Sequence, residues 1–216
     1  MLKEHIDSYY KKRNVEKDRK GFYATDSGQC PRRIYFSFKK YPKLEVEPRI
    51  LRVFHNGDFV HTRLGGALVE EGVIKSEKDI EVPIPENDLI RGRADAIVEI
   101  NGEKVVVDFK SVNGVKFRTL EAPEIEHVKQ VMIYMHFFNI KKGLLVYECK
   151  NTQDIKEFEI KYDENLVKEI LEFFRVLRYQ IENNQIPDVP DWVEQWRCDY
   201  CPYLEECKKI GNPYYS

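Results

Sequence analysis

Long apolar runs are missing from this sequence. No stretch of its 216 residues approaches the roughly 18 consecutive apolar residues that a membrane-spanning helix requires. The opening residues, MLKEHIDSYYKKR, also lack the apolar segment of a secretory signal. We therefore expect a cytoplasmic protein with no membrane partner, in which the five cysteines are reduced rather than paired in disulfides.

The sequence also has no large excess of positive or negative charge. The 35 Lys and Arg residues nearly balance the 37 Asp and Glu residues, for a net charge of -2, which excludes a globally basic nucleic-acid binder but not a local basic patch. No GxxxxGK[ST] loop occurs, so no ATP motor of that type is encoded. The 42% hydrophobic residues are sufficient for a real core, and the length fits a single domain spanning 1–216.

The periodicity of apolar residues predicts helices around a set of strands. We predict helices over about 2–20, 48–71, 123–139 and 163–184, plus a short helix capped by Asp26 or Ser27. Strands are predicted over about 73–84, 89–100, 103–112, 143–149 and 154–161. The tail from Pro187 is expected to be irregular. Helices flanking a central sheet predict an α/β fold.

Asn101-Gly102 lies between two strand-like runs, which is the strongest short-range signal for a hairpin with a type I′ turn. That turn fixes the register of the two strands. Ile100 would face Glu103, Val98 would face Val105 and Ala96 would face Val107. Continuing the same register places Asp95 opposite Asp108 and Arg93 opposite Lys110.

Two opposed carboxylates near a core repel each other. Directly opposed residues have Cβ atoms about 4.5–5.5 Å apart on one side of the sheet. Either one carboxylate takes a proton or a cation lies between them, and Mg²⁺ or Mn²⁺ prefers such oxygen ligands. The alternative is a bulge that breaks the register and leaves Asp95 and Asp108 solvated. Lys110 shares a face with Asp108, where it would either stabilise charge on a phosphate or form a simple ion pair.

Four motifs in order resemble the PD-(D/E)xK nuclease core, in particular its RecB-like branch. They are Gly57-x-x-x-His61, Gly92-x-x-Asp95, Asp108-x-Lys110 and Gln130-x-x-x-Tyr134. Each motif alone is weak, and together they span residues 57–134. Ala94 departs from the family pattern at the position of the proline, which varies within this fold.

The resemblance implies a role for each matching position. His61, Asp95, Asp108 and the Phe109 carbonyl would bind Mg²⁺ or Mn²⁺, and Lys110 would be the catalytic lysine. Gln130 and Tyr134 would position DNA or the nucleophile. Two simpler interpretations stay open: His61 as a hydrogen-bonded core histidine, and Tyr134 as a packing residue of an apolar helix face.

A second group of residues with metal-site spacing lies near the ends of the chain. Cys198-x-x-Cys201 is followed by Cys207, a pattern typical of a zinc site or an iron–sulfur cluster in a reduced compartment. Cys149, within a predicted strand, is expected to be buried.

With Cys30 upstream, the arrangement of cysteines is similar to the iron–sulfur segment of AddB-type and CRISPR-associated RecB-like nucleases. The resemblance implies a [4Fe–4S] cluster, with structural Zn²⁺ as the alternative, on Cys30, Cys198, Cys201 and Cys207. It would join the N- and C-terminal segments, about 22–47 and 187–210. Trp192, Trp196 and Tyr200 would shield the cluster or pack under it.

The resemblance implies a metal-dependent DNA nuclease acting on single strands, DNA ends or overhangs, with prespacer processing in CRISPR adaptation as its pathway. A stand-alone repair or viral nuclease is an alternative, and a non-catalytic DNA-binding subunit is an alternative of another class. CRISPR integrase proteins and a second copy of the chain are candidate partners. Basic residues that could guide the DNA backbone are Arg32, Arg33, Arg91, Arg93, Lys116 and Arg118.

Overall fold

The polypeptide forms two units, each assembled from segments that are distant in sequence. A computed structural model describes residues 1–15, 19, 21–74, 80–81 and 90–215. The central unit consists of Gly21–Gly28 and Phe54–Ile170. The terminal unit consists of Met1–Lys20, Gln29–Val53 and Leu171–Ser216. The predicted α/β fold with helices flanking a central sheet is confirmed, and the sheet is mixed.

Four strands form the main sheet, in the order β5-β6-β7-β8. The strands are β5 (Ala96–Ile100), β6 (Glu103–Val112), β7 (Lys142–Cys149) and β8 (Ile155–Lys161). The β6–β7 pair is parallel and the two outer pairs are antiparallel. Parallel neighbours need a crossover connection, and α5 (Ile125–Phe138) supplies it between β6 and β7.

The remaining elements are short strand pairs and further helices. β1 (Phe22–Tyr23) pairs in parallel with β3 (Ile90–Arg91), and β2 (Ile80–Glu81) pairs antiparallel with β4 (Arg93–Ala94). The helices besides α5 are α1 (Leu2–Arg13), α2 (Pro31–Phe38), α3 (Pro48–Glu70), α4 (Gly114–Thr119), α6 (Glu164–Glu182), α7 (Gln195–Asp199) and α8 (Leu204–Ile210).

The hairpin follows the predicted register over part of its length. Asn101 and Gly102 have φ of 53° and 77°, as a type I′ turn requires, and the five pairs from Ile100↔Glu103 to Ala96↔Val107 match. At Asp95 the backbone bends and the ladder ends. The prediction that Arg93 faces Lys110 is therefore wrong, because Arg93 instead pairs with Glu81.

Strand β6 separates two differently packed faces of the sheet. Its odd-numbered residues Val105, Val107 and Phe109 belong to an apolar cluster that also contains Ala96, Val98, Val146 and, from α3, Leu64 and Leu68. Its even-numbered residues point to the opposite face, where α5 packs. Asp108 and Lys110 therefore face α5, although they follow a run of buried valines.

A short 3-10 helix, Ala24–Gly28, packs closely on α5. Asp26 and Ser27, expected to cap the next helix, instead stabilise this turn, since Tyr23 N donates to Asp26 Oδ2 at 2.6 Å and Ser27 Oγ donates to the Ala24 carbonyl at 2.7 Å. The cap prediction was wrong because α2 begins only at Pro31, a residue that favours the first helical position.

The terminal unit has an aromatic core of its own. Tyr35 and Phe36 of α2 are buried with Tyr203 and Cys207, and the Phe36 and Tyr203 rings are 5.7 Å apart. The tail is not irregular as predicted, since α7 and α8 follow Pro187. Trp192, Trp196 and Tyr200, which were expected to shield a cluster or to pack under it, are 48%, 51% and 79% exposed.

Other element boundaries differ modestly from the predictions. Helix α1 ends at Arg13 rather than near residue 20, and the predicted strand over 89–100 is divided into β3, β4 and β5. Of the predicted strand over 73–84, residues 75–79 and 82–84 lie outside the described part. Within the described residues, no helix is long and apolar enough to cross a membrane.

The closeness of the 3-10 helix to α5 predicts a specific stability effect. A Cβ at Gly28 would lie 2.2 Å from Glu126 Cβ and 2.8 Å from Glu126 Cα, so Gly28→Ala should destabilise by about 1–3 kcal/mol through overpacking. Gly57→Ala is the matched control, because no atom of the described residues lies within 4 Å of its Cβ position and alanine favours the helix by about 1 kcal/mol. Thermal unfolding midpoints test this, and an unchanged midpoint for Gly28→Ala would contradict it.

Candidate active site

A cleft of about 880 Å³ opens where β5 ends and β6 continues. Its walls include His61 of α3, Asp95 at the bend, Asp108 and Lys110 of β6, and Gln130 and Tyr134 of α5. All six side chains predicted from the four motifs therefore line one cavity of the central unit. Residues separated by more than 70 positions in sequence meet here because α3 and α5 cover opposite faces of the same sheet.

Asp95 connects α3 to the exposed edge of β6. Its Oδ2 accepts a hydrogen bond from Phe109 N at 2.6 Å, and its Oδ1 is 2.9 Å from His61 Nδ1. A side-chain carboxylate thus takes the place of the next backbone pairing in the hairpin. Because the N–H and C=O of one strand residue point to the same edge, the Phe109 carbonyl is directed to this edge as well.

Asp108, Lys110, Gln130 and Tyr134 form a hydrogen-bonded set on the other side of β6. Lys110 Nζ is 2.6 Å from Asp108 Oδ2 and donates to Gln130 Oε1 at 2.9 Å. Gln130 Nε2 donates to Tyr134 Oη at 2.7 Å and lies 3.4 Å from Asp108 Oδ1. Tyr134 therefore does more than pack, since its hydroxyl takes part in orienting Gln130.

The electrostatics of the cleft are dominated by the buried Asp108. The pKa of Asp108 is raised to about 6, chiefly by burial, because the lowering effect of Lys110 offsets the effects of burial and of the Asp95 carboxylate only in part. Asp108 is 1% exposed, so the interpretation that leaves it solvated is excluded. The hydrogen bond to Asp95 raises the pKa of His61 above its ordinary value, against the lowering effect of burial.

Gly92 permits the close approach of α5 to the cleft. A Cβ at this position would lie 2.7 Å from the Tyr134 ring and 3.1 Å from Ala24 Cβ. Any larger residue would displace Tyr134 and with it Gln130. The glycine of the Gly92-x-x-Asp95 motif is therefore required by packing.

Some residues of the cleft were not found by sequence reasoning. Asp58 lies on its wall, three positions before His61 on α3, and that helical spacing was the available signal. Tyr23 and Thr25 also line the cleft, and they arrive from an upstream segment whose sequence gives no indication of this position.

The donor set of the cleft suits a hard divalent cation. Asp108 Oδ2 is buried and, despite its ion pair with Lys110, has no aligned hydrogen-bond donor within the described residues. Asp95 and Asp108 offer carboxylate oxygens, and His61 offers its second ring nitrogen while Asp95 fixes the first. Among the residues described, however, no three His, Cys, Asp or Glu side chains are gathered as the ligands of one ion.

Four cysteines are neighbours in the terminal unit. Cys198 and Cys207 are buried, and Cys30 and Cys201 are partly buried. Burial raises the pKa of the Cys30, Cys198 and Cys201 thiols, and neighbouring cysteines raise it further in each case. The fifth, Cys149, lies buried on β7 of the central unit, as predicted. Cys149 thus lies apart from the other four, and these four, like the rest of the described residues, include no three side chains already placed to bind one metal ion.

The predicted DNA-binding residues lie in different surroundings. Arg91 and Arg93 line the cleft and are exposed. Lys116 and Arg118 are exposed on α4, directly after β6, where Lys116 forms an ion pair with Glu124. In the terminal unit, Arg33 is exposed and donates to Gln29, whereas Arg32 is buried and hydrogen-bonded to backbone carbonyls. This burial leaves Arg32 little surface for DNA, in contrast to the sequence-based expectation.

Comparison with known families agrees with this geometry. The family model described as the PD-(D/E)XK nuclease superfamily matches residues 26–208, which is most of the chain. The chain belongs to the PD-(D/E)XK nuclease superfamily. The resemblance read from four motifs is thereby confirmed at the level of the family.

Individual relatives extend over nearly the whole chain. The CRISPR-associated exonuclease Cas4 of Saccharolobus solfataricus is 29% identical over 213 residues, covering 95% of this chain and 93% of that protein. The crystal structure of SSO0001 covers 100% of this chain and 98% of its own, with a TM-score of 0.63 and 23% identity. The structure of the alkaline exonuclease LHK-Exo of Laribacter hongkongensis covers 82% of this chain and 94% of its own, with a TM-score of 0.53 and 14% identity. The two structures support the fold alone.

The position of Gln130 predicts a catalytic defect without unfolding. Gln130→Ala removes the contacts that hold Lys110 and Tyr134, and displacement of such groups by about 1 Å can cost about 100-fold in rate. We expect nuclease activity to fall about 10- to 100-fold. Ile125→Ala, an exposed position on the same helix, is the control. Full activity in Gln130→Ala at an unchanged unfolding midpoint would contradict the assignment.

Proposed function

We propose that this protein is a nuclease that uses Mg²⁺ or Mn²⁺ to hydrolyse phosphodiester bonds of single-stranded DNA, DNA ends or overhangs. The observation that carries the proposal is the convergence of His61, Asp95, Asp108 and Lys110 in one cleft of a PD-(D/E)XK nuclease fold. A non-catalytic DNA-binding subunit would have no need for a buried Asp108 beside Lys110.

Asp95, Asp108, His61 and the Phe109 carbonyl would hold the metal. When bound, Mg²⁺ or Mn²⁺ supplies Lewis acidity that activates water and steadies the charge developing on the phosphate. Asp108 gives its full ligand strength only when ionised, and Lys110 at 2.6 Å favours that form. Asp95 orients His61 through Nδ1, which leaves Nε2 available as the donor atom.

Lys110 would act on the substrate rather than bind the metal. Its ammonium is held by Asp108 and Gln130, while 16% of the side chain remains exposed to the cleft. A cation fixed there in advance stabilises negative charge on the transferring phosphate without reorganising during the reaction. Tyr134 and Gln130 set its direction.

DNA would reach the cleft along its basic rim. Arg91 and Arg93 on the cleft, followed by Lys116 and Arg118 on α4, place positive charge on the exposed surface of the central unit. Such contacts read the backbone rather than the bases, so binding should weaken with salt.

For the pathway, we infer the processing of prespacer DNA in CRISPR adaptation. The support is the relation to a CRISPR-associated exonuclease over 95% of the chain. CRISPR integrase proteins, and a second copy of the chain, remain proposed partners. A repair or viral nuclease of the same fold is the alternative, and the similarity to LHK-Exo is compatible with it at the level of the fold.

We further infer that Cys30, Cys198, Cys201 and Cys207 bind a [4Fe–4S] cluster, with Zn²⁺ as the alternative. The support is that the four thiols are neighbours in a buried region of the terminal unit, where donors such as Asn212 Nδ2 point at sulfur. Cysteine-only sites are typical of both groups. The site would join the regions around residues 22–47 and 187–210.

The catalytic proposal predicts the behaviour of two substitutions. With Mn²⁺ and single-stranded DNA, Asp108→Ala should lose metal binding, and Lys110→Ala should lose about 100-fold or more in rate because a preorganised charge is removed. Lys104→Ala, an exposed residue at the other end of the same strand, serves as the control. Cleavage by both variants at the wild-type rate would refute the proposed site.

The cluster proposal predicts colour and iron. Protein purified without oxygen should absorb broadly in the visible range, and a Cys201→Ser variant should lose most of this absorbance and its iron. Cys149→Ala should retain both, since Cys149 lies in the other unit. If the wild-type protein is colourless and contains zinc, the cluster assignment is refuted and Zn²⁺ takes its place.

A further inference from the structure

Arg32 is a buried cation in the terminal unit, and it lies two residues after Cys30. Its exposed fraction is 6%. Its Nε donates to the Pro187 carbonyl at 2.7 Å and its Nη1 to the Gly211 carbonyl at 2.5 Å. Nη1 also lies 3.4 Å from Cys207 Sγ, within hydrogen-bond distance of the sulfur. The guanidinium is thus fixed in place and directed at a cysteine.

Among the residues that the structure describes, this buried charge has no buried carboxylate partner. Burying an unpaired cation is costly, so buried arginines normally pair with an anion. Within the described residues, the carboxylate paired with Arg32 is Asp188, at 3.7 Å from Nη2, and the Asp188 side chain is fully exposed at 103%. Solvent-exposed partners contribute little, and the carbonyls of Pro187 and Gly211 carry no net charge.

A second donor is directed at the same sulfur. Asn212 is buried, and its Nδ2 lies 3.3 Å from Cys207 Sγ while its Oδ1 accepts a hydrogen bond from Tyr214 N. A neutral thiol is a weak acceptor, whereas donors to an ionised group form hydrogen bonds about twice as strong. Two donors on one buried sulfur fit an anionic ligand better than a free thiol.

We propose that Arg32 is the counter-charge and positioning residue of an anionic four-cysteine metal centre in the terminal unit. This inference rests on the proposed metal site at Cys30, Cys198, Cys201 and Cys207. Four thiolates exceed the positive charge of a zinc ion or of an iron–sulfur core, so the centre is net negative in either case. Arg32 balances part of that charge and holds Cys207 against the carbonyls of Pro187 and Gly211.

The test compares iron retention and redox behaviour in protein purified without oxygen. Arg32→Met removes the charge, and Arg32→Lys keeps the charge but loses the planar fork. Asp188→Asn removes the exposed partner, and Arg175→Met removes an exposed arginine of the same unit that pairs with Glu172. Readouts are the rate at which a chelator bleaches the visible absorbance and the ratio of reduced to oxidised cluster at a fixed potential.

A positive neighbour stabilises the more negative, reduced form of the cluster. Arg32→Met should therefore lower the ratio of reduced to oxidised cluster about tenfold, equivalent to about 59 mV for one electron, and speed bleaching several-fold. Arg32→Lys should remain within about threefold of the wild type, because it keeps the charge. Asp188→Asn and Arg175→Met should match the wild type.

Three results would overturn the inference. They are wild-type behaviour in Arg32→Met, a defect in Asp188→Asn equal to that of Arg32→Met, or a folded Arg32→Lys as defective as Arg32→Met. Arg32→Gln replaces Arg32→Met if circular dichroism shows the latter unfolded. If the wild-type protein contains zinc instead of iron, the readout in the same variants is the retention of zinc in the presence of the chelator. Wild-type protein without iron or zinc would refute the metal site itself, and the role of Arg32 with it.

Discussion

The Asp95 carboxylate is the interaction on which the arrangement of the cleft depends. It accepts a hydrogen bond from Phe109 N and contacts His61, so it joins the end of a hairpin to a helix on the face of the sheet. Because the backbone bends at Asp95, β5 stops pairing and the edge of β6 from Asp108 onward is left open. A continued ladder would have covered this edge with backbone, and a substrate could not then reach Asp108 and Lys110.

The contacts of Asp108 explain how its charge is tolerated beside the apolar core. Asp108 is buried behind valines, yet Lys110 and Gln130 contact it, and one of its oxygens has no aligned donor in the described part of the chain. Such an arrangement costs stability, as functional sites often do. Gly92 and Gly28 bring the neighbouring segments close enough to α5 to hold this set in position.

The cysteine region of the terminal unit, like the cleft, contains a buried charge, but of the opposite sign. There the buried charge is the Arg32 cation, and the candidate counter-charge is a set of thiolates. The cleft buries a carboxylate, that of Asp108, whereas the terminal unit buries a cation, that of Arg32. Both sites consist of residues brought together from distant segments of the chain.

Local features of the protein could be predicted from the sequence. Asn101-Gly102 set the hairpin register, because positive φ at two consecutive positions specifies one turn type, and residue spacing identified the motifs of the cleft and the cysteine set. The tertiary structure alone decided where the register ends, that Asp58, Tyr23 and Thr25 reach the cleft, and that Arg32 is buried while Trp192 and Trp196 are exposed. These features depend on packing between distant segments, and local patterns of polarity carry no information about which surfaces such packing will cover.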